Sequence, residues 1–309
     1  MATIINDLKE TFRRGEIHIR LIFINAAVFL LFTLVQVVLM LFNVSISHWL
    51  QWLEMPASVA NFLQQPWSIL TYMFMHGGVM HLLFNMLWLY WFGQLFLYFF
   101  SAKHLRGLYL WGGICGALLY FLAFNIFPYF IPYASYTYMV GASASVLAIV
   151  AAVAYREPNY RVNLLLLGSM PLKYFALLVI GADLLFITGE NAGGHIAHLG
   201  GALGGLLFAY LLHKGTDLTR YINNVIDFCM NPSMFKPKPR KPKMKVNYGS
   251  KAEKSADATT KQEQKVEEPN SQDASQQERI NKIREKIKQS GYQGLTEEEK
   301  RELFNASIR

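Results

Sequence analysis

The sequence predicts an all-α membrane protein: a bundle of six transmembrane helices with a long interfacial first loop. Three observations predict it. Composition breaks near His213: blocks of Leu, Phe, Val, Ile, Trp and Tyr come before it, and Lys, Glu, Gln, Ser and Asp dominate from Lys214 onward. Averaged over 309 residues, the two halves give an ordinary 53% hydrophobic content that conceals the membrane half. The apolar blocks approach the roughly 20 residues needed to cross a bilayer, and basic residues fall only in alternate connections.

Taken in order, Met1 to Gly15 is polar and of mixed charge, and the apolar run after it is too long for a cleaved signal peptide. Leu21 to Val44 is the first span. Ser45 to Met75 contains no Lys or Arg but carries Trp49, Trp52, Phe62 and Trp67, which suits a loop lying in the interface. Val79 to Phe100 is the second span. Leu108 to Phe127 is the third, with Gly112, Gly113 and Gly116 allowing close helix approach. Pro128 and Pro132 break the next stretch. Gly141 to Tyr155 is short for a crossing, so the fourth helix is expected to begin below the surface, at the floor of a cavity. Val162 to Pro171, broken by Gly168 and Pro171, reads as interfacial. Tyr174 to Thr188 and Gly194 to His213 are the fifth and sixth spans.

Lys9, Arg13, Arg14 and Arg20 precede span one, Lys103 and Arg106 lie between two and three, Arg156, Arg161 and Lys173 between four and five, and Lys214 follows six. This alternation predicts an integral multi-pass protein of an inner or cell membrane with both termini in the cytoplasm. The net charge of +8 reads as membrane orientation plus a basic tail touching anionic lipid, not as nucleic-acid binding. The two cysteines, Cys115 and Cys229, form neither a disulfide framework nor a metal cluster.

Beyond the spans, Thr216 to Met230 is amphipathic and expected to lie on the membrane surface, with Leu218, Tyr221, Ile222, Val225, Ile226 and Cys229 on one face. Lys236 to Lys245 is a basic, proline-rich linker, and Tyr248 to Gln277 reads as disordered. Ile280, Ile283 and Ile287 have helical spacing, Gly291 can cap that helix, and Thr296 with Glu299 forms a capping box for a second helix carrying Leu303 and Phe304. The expected organisation is a cytoplasmic segment 1–20, a membrane domain 21–213, a linker 214–277 and a helical hairpin 278–309. Two short helices bury little alone, so the hairpin is expected to dock on a partner of unknown identity.

Polar residues in the apolar half form three groups: His76-Gly-Gly-Val-Met-His81-Leu-Leu-Phe-Asn85, Gly141-Ala-Ser143, and His195-Ile-Ala-His198-Leu-Gly-Gly201-Ala-Leu-Gly-Gly205. His81, Ser143 and His198 each lie near the start of a span that begins on the outer side, so all three are expected in one layer. A hydroxyl there needs a partner or a task. Histidine is the usual base for a serine nucleophile near neutral pH, so Ser143 is read as nucleophile and His198 as base. With Asp183 read as deep in span five and Glu190 as a loop residue, the expectation is a Ser–His dyad without an acid. The first N–H groups of the helix at Ser143, the Asn85 amide and the His81 ring can stabilise an oxyanion. Gly201 and Gly205 let span six approach span four.

The ordered set His76-x4-His81-x3-Asn85, Gly141-x-Ser143 and His198-x2-Gly201-x3-Gly205, with Trp67 and the tract from Tyr72 to Asn85, resembles the rhomboid family of intramembrane serine proteases over about residues 15 to 213. The resemblance implies a six-transmembrane-helix rhomboid-like bundle, with Ser143 as nucleophile, His198 as general base, and His81, Asn85 and the Ser143 N–H at the oxyanion site. It also implies substrates that are transmembrane segments of other proteins, cut near the outer end of the helix. Ala144 stands where the family often has Gly, Leu147 where an aromatic often packs on the histidine, and Ser68 follows Trp67 where the family often has Arg. Ser145 lacks the glycine two residues earlier. His195 is read as an interfacial cap. Zinc held by residues 76, 81, 195 and 198 is set aside because no His-Glu-x-x-His supplies a base, so no metal or cofactor is expected. The rival reading is a non-catalytic rhomboid-like protein that binds transmembrane helices, which needs the fold but not the dyad.

Overall fold

The computed structural model describes residues 2–45, 47–164 and 168–230, together with 282, 283, 285, 286, 295, 296, 298 and 299. It is an all-α membrane bundle. The helices that position the site are α1 (Ala2–Arg14), α2 (Ile17–Leu41), the short α3 (Ser47–Gln51), α4 (Val59–Gln64) and α5 (Ser68–Thr71) of the first loop, α6 (Val79–Phe99), α7 (Ala102–Ile126), α8 (Ser143–Arg156), α9 (Leu172–Leu185), α10 (Ala192–His213) and α11 (Thr219–Met230). Among the described residues, α2, α6, α7 and α10 are long and apolar enough to cross a membrane. The helices at the expected fourth and fifth spans, α8 and α9, have 14 residues each. At 1.5 Å per residue each is about 21 Å long, short of a hydrocarbon core of about 30 Å.

The centre of the bundle is α8. It is apolar on every side and buried from Ala144 to Ala154, as an all-round apolar helix must be. Its neighbours α7 and α10 reach it through glycines. A Cβ at Gly112 would strike the Ala148 methyl, and one at Gly116 would lie 2.5 Å from the Ala144 methyl. On the other side, Cβ atoms at Gly201 and Gly205 would strike the carbonyl oxygens of Ala144 and Ala148. One pair of alanines thus turns its methyls to α7 and its carbonyls to α10, and small residues set both helix separations. By contrast, α2 leaves Leu30, Leu31, Leu34, Val37, Val38, Met40 and Leu41 exposed, an apolar surface suited to lipid.

The first loop is held by hydrogen bonds to its own backbone. Trp67 stacks on Trp52 at 6.0 Å and donates to its carbonyl at 2.8 Å. Gln65 Nε2 donates to the carbonyls of Gln51 and Glu54, both at 2.9 Å. Strand β1 (Met55–Pro56) then pairs antiparallel with β2 (Tyr138–Met139), the two residues leading to the Gly-x-Ser turn. This ties the interfacial loop to the start of α8.

Some boundaries differ from expectation. The helix expected from Leu108 begins at Ala102, because Ser101 Oγ caps it by accepting from the His104 N–H at 3.2 Å; Lys103 and Arg106 therefore belong to α7. The N-terminal polar stretch is helical as α1, with the Gly15 N–H closing onto Thr11 O at 2.7 Å. The stretch from Val162 to Pro171 falls in an antiparallel pair, β3 (Arg161–Leu164) and β4 (Gly168–Pro171). The fifth helix ends at Leu185 instead of Thr188, where the chain turns with the Gly189 N–H on Phe186 O.

Two cavities mark the two ends of the bundle. One gathers residues near the starts of α6, α8 and α10. The other gathers the ends of α6, α8 and α10 with the start of α7: Phe100, Ser101, His104, Arg156 and His213. Beside that second end, α11 lies against α7. Arg106 donates to Asn223 Oδ1 at 2.9 Å and to Asp227 Oδ1 at 2.7 Å, and Asn223 Nδ2 donates to the Lys103 carbonyl at 3.0 Å. Thr219 packs where a Cβ on Gly107 would stand. The buried face of α11 is therefore the polar one, and Tyr221, Val225, Phe228 and Met230 are exposed, as suits a helix lying on a membrane surface.

Contacts divide the chain into a unit ending at Pro239 and a second from Arg240 to Arg309. In the second, Thr296 and Glu299 form the expected capping box: Thr296 N–H donates to Glu299 Oε2 at 2.8 Å, and Glu299 N–H to Thr296 Oγ1 at 3.4 Å. The linker from Lys236 to Lys245, the stretch from Tyr248 to Gln277, and Ile280, Ile287, Gly291, Leu303 and Phe304 lie outside the described residues.

Candidate active site

Gly141 is where the backbone first demands a particular residue. Its φ is +130°, a region L side chains rarely adopt, and a Cβ there would lie 2.9 Å from His81 Nε2 and Cε1. Its N–H donates to Tyr72 O at 3.0 Å. Glycine thus lets the chain turn into α8 while the His81 ring lies against the turn, with Ser143 Oγ 3.6 Å from the same Cβ position. Ser143 is the first residue of α8, so the N–H groups of this first turn have no partner inside the helix. They carry the positive end of the helix dipole.

A cavity of about 620 Å³ opens above this turn, lined by His81, Asn85, Ser143 and His198, with Phe84, Trp88, Val146, Leu147 and Val179 on its apolar walls. His81 Nδ1 accepts from the Gly77 N–H at 3.3 Å. In a neutral imidazole this leaves the proton on Nε2, the nitrogen beside Gly141. Asn85 Nδ2 donates to the His81 carbonyl one turn back at 2.9 Å, which orients the amide at the cavity wall. The expected layer of polar residues is thus assembled in one place: His81, Asn85, Gly141, Ser143 and His198.

The expectation that no carboxylate lies near these residues is overturned by geometry. Asp183 Oδ1 lies 2.9 Å from His198 Nδ1, and the carboxylate side chain is only 7% exposed. Asp183 is not deep in its helix: α9 starts at Leu172 and ends at Leu185, which puts Asp183 in the last turn, level with the start of α10. The sequence carried a usable signal, since an ionisable residue inside an apolar helix marks a functional site by default. His195 also departs from its reading as an interfacial cap, because its Nδ1 lies 2.8 Å from the same Asp183 Oδ1. Asp183 Oδ2 is buried with no hydrogen-bond partner among the described residues.

With Nδ1–H donated to Asp183, His198 presents the lone pair of Nε2, the arrangement a general base requires. The Ser143 hydroxyl and the His198 ring line the same cavity without a direct hydrogen bond between them. Ser145 is fully buried, with no partner for its hydroxyl among the described residues, and is not among the residues lining this cavity. The Ala144 methyl faces Gly116 of α7, so α7 absorbs the extra carbon on the side away from the cavity. Leu147 lines the cavity wall. His76 stays beside His81, with ring centroids 5.3 Å apart, and does not join the histidines of α10. Beneath the cavity, Phe175 of α9 packs against Trp88 and Phe92 of α6, each at 5.4 Å.

Residues 63–215 match the family model of the Rhomboid domain. The chain is 30% identical over 144 residues to RHOMBOID-like protein 12, mitochondrial, of Arabidopsis thaliana, covering 44% of this chain and 43% of that protein. It is 28% identical over 149 residues to RHOMBOID-like protein 7 of the same plant, covering 48% of this chain and 44% of that protein. The matched part spans less than half the length of either relative. The domain match, the membrane helices and the curated relatives together make this chain an integral membrane protein of the rhomboid family.

Proposed function

We propose that the chain is an intramembrane serine endopeptidase that cleaves transmembrane segments of other membrane proteins. Ser143 Oγ attacks the scissile carbonyl as His198 Nε2 takes its proton. The oxyanion meets the Ser143 N–H, the His81 Nε2–H and the Asn85 amide. Collapse breaks the peptide bond, and His198 returns the proton to the leaving amine. Water then attacks the acyl-enzyme with His198 again as base, which releases the second fragment and restores Ser143. Asp183 holds His198 in the tautomer this cycle needs. The single observation that carries the reading is the Asp183–His198 hydrogen bond at 2.9 Å, which leaves Nε2 available in the cavity that holds Ser143.

The same reading has the chain cross an inner or cell membrane six times, with α8 and α9 as the short fourth and fifth crossings and both termini cytoplasmic. Residues 1–20, 214–277 and 278–309 flank a membrane domain at 21–213, in contact with membrane lipids. The alternative is a non-catalytic rhomboid-like protein that binds transmembrane helices. One observation favours it: no direct hydrogen bond joins Ser143 to His198. In substrate-free sites such bonds are often long and tighten only in the complex. Fluorophosphonate labelling of the detergent-purified chain separates the two. Labelling lost in Ser143→Ala and in His198→Ala supports the protease; an unlabelled intact protein supports the helix-binding reading.

A further inference from the structure

We propose that Asp183, His195 and His198 form a zinc site whose occupation switches off the base, an inference that rests on the protease reading above. The three side chains come from the end of α9 and the start of α10, and their ligand atoms all lie within 4.8 Å of one another. Both imidazole Nδ1 atoms point at one carboxylate oxygen, at 2.8 and 2.9 Å. The other oxygen, Asp183 Oδ2, is buried and unpartnered, on a side chain 7% exposed. A buried carboxylate with one bare oxygen is an incomplete arrangement, and a cation would complete it.

The donor set selects the ion. Two imidazoles and one carboxylate suit Zn²⁺, with water in the fourth position. Mg²⁺ and Ca²⁺ require more oxygen ligands than the cluster offers. Tetrahedral Zn²⁺ with bonds of about 2.0–2.1 Å separates its ligands by about 3.3 Å. Each nitrogen must therefore retreat from Asp183 by only about 0.5 Å, which side-chain rotation supplies. The His195 and His198 side chains are each 22% exposed, so an ion can reach the cluster.

Occupation has a definite chemical consequence. When Nδ1 of His198 binds the metal, the neutral ring carries its proton on Nε2. The nitrogen facing the cavity then donates instead of accepting, and it cannot take the Ser143 proton. Zinc is thus an inhibitor of this site and not part of its chemistry.

The test has two arms on the full chain in detergent. Zinc binding is measured by calorimetry on Ser143→Ala after chelation, and again with His195→Ala or Asp183→Asn added, with melting curves to establish folding. The expected result is one ion per chain, with affinity falling at least about ten-fold in either added variant. In the second arm, fluorophosphonate labelling of the intact chain falls on adding ZnCl₂ and returns with chelator, while MgCl₂ has no effect. No zinc bound by Ser143→Ala, or equal affinity in both folded ligand variants, overturns the site. Zinc binding that leaves labelling unchanged overturns the switch. An intact, chelated chain that never labels overturns the protease reading instead, and the calorimetry still decides the site.

Discussion

Asp183 and His198 are joined by a hydrogen bond of 2.9 Å between the end of α9 and the start of α10. Asp183→Asn keeps the shape but offers His198 an amide that can donate as well as accept, so the tautomer is no longer fixed. The expected outcome is a fall in fluorophosphonate labelling rate on the order of 10²–10⁴-fold. The melting temperature should change little, because a neutral side chain replaces a buried carboxylate with an orphaned oxygen. A labelling rate equal to that of the intact chain would remove Asp183 from the mechanism.

Gly141 and His81 meet so closely that no side chain fits between them. Gly141→Ala must hold a positive φ, at a cost of about 1–2 kcal/mol, and displace the His81 ring. Losing one oxyanion donor typically costs about 10²–10³ in kcat. Gly141→Ala and His81→Ala are therefore each expected to lower turnover of a transmembrane substrate by about that factor. The double variant should be little worse than either alone, since both remove the same contact. Additive losses in the double variant would show that the two residues act separately.

The layered site was legible because its residues sit at helix starts, where sequence position converts directly into depth. His81, Ser143 and His198 each follow a break in the apolar pattern, and the structure gathers them in one cavity. Gly201 and Gly205 could be read in the same way, because a spacing of four fixes one helical face. The same conversion fails for Asp183. Its helix was expected to run to Thr188 and ends at Leu185, and counting inward from the wrong end made a last-turn residue look deep. The β1–β2 pairing was not legible at all. Two-residue strands carry no period, and their register is set by the loop that wraps them.

The groove of α7 also makes a packing prediction. A Cβ on Gly112 would strike the Ala148 methyl, while its other neighbours lie at 3.4 Å. Gly112→Ala is expected to destabilise the folded chain by about 1–3 kcal/mol through overpacking. Ala148→Gly introduces a mid-helix glycine and a small void, at about 1 kcal/mol. Combined, the two exchange one methyl across the interface. Thermal melts in detergent should show the double variant more stable than the sum of the singles predicts, with a coupling of about 1 kcal/mol or more. Strict additivity would mean that the helices separate instead of meeting at this point.

On the other end of the bundle, Arg106 holds Asp227 of α11 at 2.7 Å, and Lys103 lies 3.5 Å away. The Arg106 guanidinium holds the Asp227 carboxyl below its ordinary range, with Lys103 adding to the effect. A carboxyl whose folded pKa is depressed contributes its stabilisation fully above the unfolded value and loses it as pH falls through the folded one. Docking of α11 should therefore be unchanged from neutral pH down to about pH 4 and weaken below that. Hydrogen exchange of the α11 amides reads this directly: faster exchange on acidification below about pH 4 in the intact chain, and fast exchange already at neutral pH in Asp227→Asn. The Asn223–Lys103 contact at 3.0 Å remains in that variant, so exchange should rise without reaching the rate of an unstructured chain. Protection that is equal in both proteins across the whole range would assign the docking to Thr219 and Asn223 alone.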